Sequence, residues 1–304
     1  MKKTILVIGA TGHLGGKIIA CLLAKGAHVK ALVRLGSNPE TIKVLEEKNV
    51  QVLSLNLLDK SAITAHCGGV DCVVSALAGL DETILVTQQN VLDAAVAAGV
   101  PRFIASDYCI DFRNLVPGKN RNLDLRREFH AYLDQQPIQA SSIFNGAFME
   151  LLVKEMPLIL SNKRRILCWG NPNQPMEFTH TDNVAEFTAN VAMANSSARY
   201  LHIAGDVLSC NDFVALMTKM EGRRYQLFRP GGIGLLNFMI KMAKFFSPAS
   251  KELYPAWQGM QYMRDMMEGR IKINGHDNDV FPIAHWLTAE EFLTEEKKNN
   301  GSIN

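Results

Sequence analysis

The feature that most constrains this chain is a glycine-rich turn near its start. Gly9-Ala-Thr-Gly12-His-Leu-Gly15-Gly16 follows an apolar run at residues 4–8 and opens a helical pattern. The run reads as a buried parallel strand, because consecutive apolar residues leave it no polar face. Each glycine then has a physical reason. Gly9 permits a tight turn, Gly12 lets a diphosphate approach the backbone, and Gly15 lets the helix pack closely on the sheet. The helix start offers unpaired N–H groups to phosphate. A bare glycine pattern carries little weight; the strand before it and the helix after it make the nucleotide-binding reading. Thr11, His13 and Leu14 complete the cradle, although His13 also reads as a solvent-facing residue of the first helical turn.

Downstream, apolar strands alternate with helical segments. The first helix, residues 14–25, carries Leu14, Ile18, Cys21 and Leu22 on one face and stops at Gly26, a C-cap residue. Strands are expected at 28–33, 50–55, 70–76, 102–106 and 139–144. Helices are expected after a Ser37 cap, at 60–67 behind Asp59, at 82–98 before Gly99, and at 125–133. This alternation predicts an α/β fold: a Rossmann-type doubly wound parallel sheet. The second half changes texture, with helices expected at 147–159, 182–194, 211–221, 232–246 and 254–269. A strand at 200–203 is expected to return to the first sheet. Residues 1–150 therefore form the NAD(P)-binding domain, completed by that strand near 200–204. Residues 151–304 form a smaller, mostly helical substrate region, discontinuous around it, that roofs a cleft.

Composition enters mainly as exclusion. The chain has 304 residues, 47 % apolar and 20 % charged, enough for a sizeable core without disulfides. With 32 basic and 30 acidic residues the net charge is +2, so no nucleic-acid partner is expected. The six cysteines form no CxxC pair and read as reduced thiols of a cytoplasmic protein. No apolar stretch reaches the roughly 18 residues of a membrane span, so no stable membrane insertion is expected. Neither HExxH, a carboxylate cluster nor GxSxG is present, and no metal site is predicted. A monomer or weak homodimer is expected.

The second strand ends at Val33-Arg34. A carboxylate there would favour NAD; an arginine meets a 2′-phosphate, so NADPH is expected over NADH. Ser37 and Lys43 lie close enough in sequence to add contacts. Asn56, at the end of the third strand, is placed at the adenine edge. Ala76, Leu77 and Ala78 let the chain pass close to the cofactor. Gln88 reads either as cofactor-facing or as solvent-facing.

These pieces together resemble the NmrA-like branch of the atypical short-chain dehydrogenases, which includes the isoflavone reductase-like enzymes. The matching stretches are the glycine turn, Val33-Arg34, the segment from Ala94 to Ser106, Ser142 to Glu150, Phe178 to Ala185, and Leu201 to Asp206 with Ser209 and Phe213. The resemblance implies the fold and an NADP site in which Arg34 reads the phosphate and Asn56 sits near adenine. It puts Ser106 and Asn145 on the nicotinamide side, with Phe144 and Phe148 at the cleft. It implies either an NADPH-dependent reductase of small aromatic, quinone or carbonyl-type compounds, or an NADP-sensing regulator that binds a protein partner without turnover.

The proton-transfer machinery departs from the pattern. Tyr108 is followed four residues on by Phe112 and Tyr132 by Gln136, so no Tyr-x-x-x-Lys pair exists. Where the isoflavone reductase-like enzymes carry a lysine, this chain reads Asp124-Leu-Arg-Arg-Glu-Phe-His130. Arginine is a poor proton shuttle but can hold an anion or stabilise developing oxygen charge. The catalytic candidates are therefore Tyr108, Arg126, Arg127 and His130. Arg126 and Arg127 are adjacent and cannot share a helix face. Cys109 reads as a buried inert thiol and Asp182 as a helix cap. The apolar segment 235–246, interrupted by Lys241 and Lys244, reads as core and pocket wall in preference to an amphipathic surface.

Overall fold

A computed structural model describes residues 2–247 and 251–300. Its first half runs β1 (Thr4–Ile8), α1 (His13–Ala24), β2 (His28–Arg34), α2 (Pro39–Glu47), β3 (Gln51–Leu55), α3 (Lys60–Cys67), β4 (Cys72–Ser75), α4 (Gln88–Ala97), β5 (Arg102–Ile104), α5 (Arg121–Leu133) and β6 (Gln139–Phe144). Then come β7 (Ala147–Phe148), α6 (Leu151–Lys154), β8 (Ile159–Leu160), β9 (Arg165–Leu167), β10 (Met176–Thr179), α7 (Thr181–Met193), β11 (Tyr200–His202) and β12 (Asp206–Leu208). The chain closes with α8 (Cys210–Glu221), β13 (Gln226–Phe228), α9 (Ile233–Phe246), α10 (Ala256–Met267) and α11 (Ala289–Asn300).

Seven strands form one parallel sheet in the order β11-β6-β5-β4-β1-β2-β3. The order reverses between β1 and β4, the place where open α/β sheets bind ligands. Both faces are covered, which explains the unbroken apolar β1. Ile5 and Val7 face α1 and α7 with Ile18, Leu22, Val184 and Phe187. Leu6 and Ile8 face α3 and α4 with Ile63, Val91 and Leu92. Arg102 on β5 ties α7 to this sheet, its Nη1 donating to the carbonyls of Val191 and Ala194 at 2.8 Å each. A third core joins the loop after β5 (Ile110, Phe112, Leu115) to Met149, Phe178, Phe213, Met263 and Leu293 of the second half. The sheet and its roof thus meet through packed side chains rather than through a linker.

Several local expectations change. The helix at 82–98 begins as a π-helical turn, Glu82–Thr87, in which the Thr87 hydroxyl donates to the Glu82 carbonyl five residues back. Asn38, not Ser37, caps α2: its side chain accepts from the Glu40 N–H at 2.8 Å, while Ser37 Oγ donates to the Arg34 carbonyl. Asn120 starts α5 four residues early, accepting from the Leu123 N–H. His180 rather than Asp182 caps α7, Nδ1 accepting from the Asp182 N–H at 3.3 Å; Asp182 instead pairs with Lys17. The helix at 147–159 shrinks to α6, between two short strands. The roof also contains two three-stranded sheets, β12-β10-β7 and β13-β9-β8, whose strands of two to four residues are too short to show a period. The segment 235–246 is only half core: Leu236 and Ile240 are buried, whereas Leu235, Phe238, Met242, Phe245 and Phe246 are exposed.

A candidate dinucleotide site at the strand ends

The glycine turn is built by close approach of backbones. Gly9 has φ +82°, and a Cβ there would fall 2.4 Å from the Ala76 carbonyl oxygen. A Cβ on Gly15 would fall 2.2 Å from the Gly9 carbonyl oxygen, whereas one on Gly12 would sit 3.2 Å from the same atom. Gly9 and Gly15 are therefore required by the fold, and Gly12 leaves one side of the turn open. The Gly12 N–H donates to the Gly9 carbonyl at 3.0 Å, and no side chain caps α1. Its first-turn amides are left for an external acceptor. Thr11 and His13 are exposed beside them and Leu14 is half-buried.

Arg34 ends β2 exposed, and its guanidinium has no partner among the described residues. Ser37 holds the Arg34 carbonyl and so shapes the turn that presents it. Lys43 lies one element further on, exposed and 3.9 Å from Glu47 along α2. Asn56 is exposed at the end of β3, its Oδ1 accepting from the Leu58 N–H. Two residues that the sequence did not single out complete this corner: Leu35 is 63 % exposed and Leu58 is 56 % exposed. Their signal was an apolar side chain one residue past β2 and three residues past β3, where solvent-facing loops are usually polar.

At the other side of the reversal, Ala76 and Leu77 follow β4, half-buried against Gly9, with Ala78 exposed. Ser106 follows β5. Its N–H donates to Gln88 Oε1 at 3.1 Å and its hydroxyl to the Leu77 carbonyl. Gln88 is therefore a buried brace, neither cofactor-facing nor solvent-facing. Asn145 follows β6, is wholly buried, and has no hydrogen-bond partner for either side-chain amide atom. Its backbone is fixed from both sides, the N–H donating to the Cys109 carbonyl and the carbonyl accepting from Thr179 Oγ1. Its amide is thus held in place with both polar atoms unpaired among the described residues.

The four catalytic candidates separate. Arg126 is 8 % exposed; Nε donates to the Ser106 carbonyl at 3.1 Å and Nη1 to the Asn122 carbonyl at 3.0 Å. No carboxylate lies within ion-pair distance, and Nη2 makes no hydrogen bond. Tyr254, Tyr262 and Cys109 lie within reach of its charge. Burial pushes the Cys109 thiol and the Tyr262 phenol well up, so both stay protonated. Tyr108 packs against the α1/α7 core, with a buried hydroxyl that has no hydrogen-bond partner and a pKa raised by burial.

Arg127 instead braces the loop after β5, Nη2 donating to the carbonyls of Phe112 at 2.7 Å and Leu115 at 3.1 Å. His130 lies behind the strand ends, Nε2 2.6 Å from Asp107 Oδ2 and 3.2 Å from Ser142 Oγ, its ring against Phe112 and Tyr200. Burial alone would raise the Asp107 carboxyl. The His130 charge, the hydrogen bonds from His130 and Ser142, and the more distant Arg126 outweigh it and hold the pKa below the usual value. The structure thus gathers Ser106, Arg126 and Asn145 at the ends of β5 and β6, and turns Arg127 and His130 to structural contacts.

A family model described as the NmrA-like family matches residues 1–230. The chain is 27 % identical over 312 residues to a probable pinoresinol-lariciresinol reductase from Arabidopsis thaliana, covering 96 % of this chain and 97 % of that one. Its fold resembles a leucoanthocyanidin reductase–NADPH complex from Vitis vinifera, with a TM-score of 0.77, 19 % identity, and coverage of 96 % of this chain and 98 % of that one. It also resembles an NADPH-dependent quinone oxidoreductase from Escherichia coli complexed with NADPH, with a TM-score of 0.75, 19 % identity, and coverage of 96 % and 99 %.

Proposed function

From the premise that the chain belongs to the NmrA-like family, we propose that it is an NADPH-dependent oxidoreductase of a small aromatic, quinone or carbonyl-type substrate. The observation that carries the reading is the pairing of an uncapped glycine turn after β1 with an unpartnered Arg34 at the end of the neighbouring β2, beside the sheet's reversal. Related chains support it: a probable pinoresinol-lariciresinol reductase in sequence, and a leucoanthocyanidin reductase and a quinone oxidoreductase, each with NADPH, in fold.

The residues present fit the dinucleotide. The first-turn amides of α1, with Thr11, His13 and Leu14, take the diphosphate. Arg34 takes the 2′-phosphate in a charge-assisted fork, with Ser37 shaping its turn and Lys43 adding positive potential. Leu35, Leu58 and Asn56 take the adenine. Gly9 and Gly15, with Ala76, Leu77 and Ala78, bring the chain close to the cofactor's middle. Ser106 and the unsatisfied Asn145 amide hold the nicotinamide end. When bound, NADPH supplies the hydride.

Arg126 sits where a substrate oxygen gains negative charge. Its free Nη2 is a donor fixed in place by the bonds of Nε and Nη1, the arrangement that stabilises developing charge. It moves no proton, because a guanidinium does not deprotonate near neutral pH. Protonation of the product oxygen therefore falls to solvent, since the Tyr108 hydroxyl faces the α1/α7 core and burial raises its pKa. The roof helices supply orientation.

Steady-state NADPH oxidation with a panel of quinones and aromatic carbonyls tests the reading. Acceleration over free NADPH is expected, with Arg126→Gln lowering kcat by about 10²-fold while NADPH binding is kept. Tight NADP binding with no turnover on the whole panel would replace the enzyme by an NADP-sensing regulator.

A further inference from the structure

The helix α9 carries two apolar faces, and only one is used. Leu236 and Ile240 pack into the roof core. On the other side Leu235, Phe238, Met242, Phe245 and Phe246 fall on an arc of about 100° at helical spacing. They are not grazing exposures: Phe238 is 58 % exposed, and Phe245 and Phe246 are each 76 % exposed. A cluster of large apolar side chains on a folded surface marks a contact, since singly scattered ones are the norm.

The charge of the sequence that carries this helix selects the contact. Residues 222–251 contain Arg223, Arg224, Arg229, Lys241, Lys244 and Lys251 and no aspartate or glutamate. The chain as a whole is +2, so this stretch is strongly basic against a net acidic remainder. Lys241 and Lys251 are exposed, and Lys244 lies over the Trp257 ring at 4.7 Å. A second copy docked face to face would set lysine against lysine, because a two-fold interface pairs each patch with itself. Phenylalanines with the exposed Lys241 beside them on the helix, and no acid in α9, match the boundary of an anionic bilayer: rings enter the acyl edge and the ammonium group meets headgroup phosphates.

We propose that α9 binds the protein to anionic phospholipid surfaces as a peripheral, in-plane helix. The opposite side of α9 packs towards α5. Trp257 stacks under both Lys244 of α9 and Arg121, the first residue of α5, at 4.7 and 4.6 Å. Arg126 lies further along that same α5.

Sedimentation of the full chain with phosphatidylcholine vesicles, with and without phosphatidylglycerol, tests this. Binding is expected only to the anionic vesicles and is expected to fall in high salt. Lys241→Ala should weaken it about fivefold, the equivalent of ~1 kcal/mol per basic group at such a surface. The double variant Phe245→Ser with Phe246→Ser should abolish it while its melting temperature and NADPH binding stay unchanged. No sedimentation with anionic vesicles, or equal sedimentation of the double variant, overturns the proposal. So does a dimer in light scattering that Phe238→Glu separates, because the face would then belong to a second copy.

Discussion

Arg34 and Asp107 show how differently two charged residues are used. Arg34 is exposed and unpartnered, so its charge is available to a ligand. Arg34→Asp removes that donor and puts a repelling carboxylate in its place. NADPH affinity is expected to fall roughly 10- to 100-fold, on the scale of one lost charge-assisted contact, with NADH affinity little changed. Fluorescence titration with both cofactors measures the ratio, and an unchanged ratio removes the phosphate from Arg34. Asp107, in contrast, is spent internally on His130 and Ser142. Its folded pKa lies below the unfolded value, so its stabilisation is complete above the ordinary carboxylate range. It is lost as the pH falls through the folded value. Asp107→Asn should cost about 3 kcal/mol at pH 7, since it leaves a buried partner uncompensated. The difference between variant and parent should shrink below about pH 4. Denaturant unfolding at pH 7 and pH 3 reads both.

At the scale of the element, the glycine turn divides into residues that serve folding and a residue that serves the ligand. Gly15→Ala forces a Cβ to 2.2 Å from the Gly9 carbonyl, and backbone must move. Gly12→Ala meets the same atom at only 3.2 Å and needs a shift of a few tenths of an ångström. The first variant should lose about 3 kcal/mol or more, on the scale of severe overpacking. The second should keep its melting temperature and lose dinucleotide affinity, because its methyl group enters the space left for the diphosphate. Thermal melts with and without NADPH separate the two. This turn, the order of strand and helix through β6, and Arg34 at the end of β2 were legible in the sequence, since local pattern decides each of them. Cap identity was less so. Ser37 and Asn38 are both competent caps, and the choice fell to Asn38 because the chain uses the Ser37 hydroxyl on the Arg34 carbonyl.

At the scale of the molecule, the first sheet is not complete until residue 202, because β11 pairs with β6 after α7 has packed beside α1. We propose on this basis that the nucleotide domain comprises residues 1–150 plus the strand near 200–204, with the rest of 151–304 as roof. Arg102 is the clasp, holding the last carbonyls of α7. Arg102→Leu should lower stability by about 2–3 kcal/mol, leaving buried carbonyls unpaired. Urea unfolding should remain a single transition; a separate transition for the roof would reject the shared core. Among the described residues no helix is long and apolar enough to cross a membrane.

The sequence by itself determined the parallel sheet, the glycine turn and the arginine that ends β2. Their causes are local: consecutive apolar residues, missing Cβ atoms and one charge at a strand end. Only the tertiary structure decided among the candidates after β5. Arg126 and Arg127 are neighbours of identical chemistry, yet one is buried beside Ser106 with a free Nη2 and the other is consumed by loop carbonyls. His130 had suitable chemistry and was captured by Asp107. The two faces of α9 look alike in sequence as well; the core covered Leu236 and Ile240 and left the phenylalanines bare. Such outcomes depend on which partners the fold brings within about 3 Å, a distance set by packing between segments far apart in the chain.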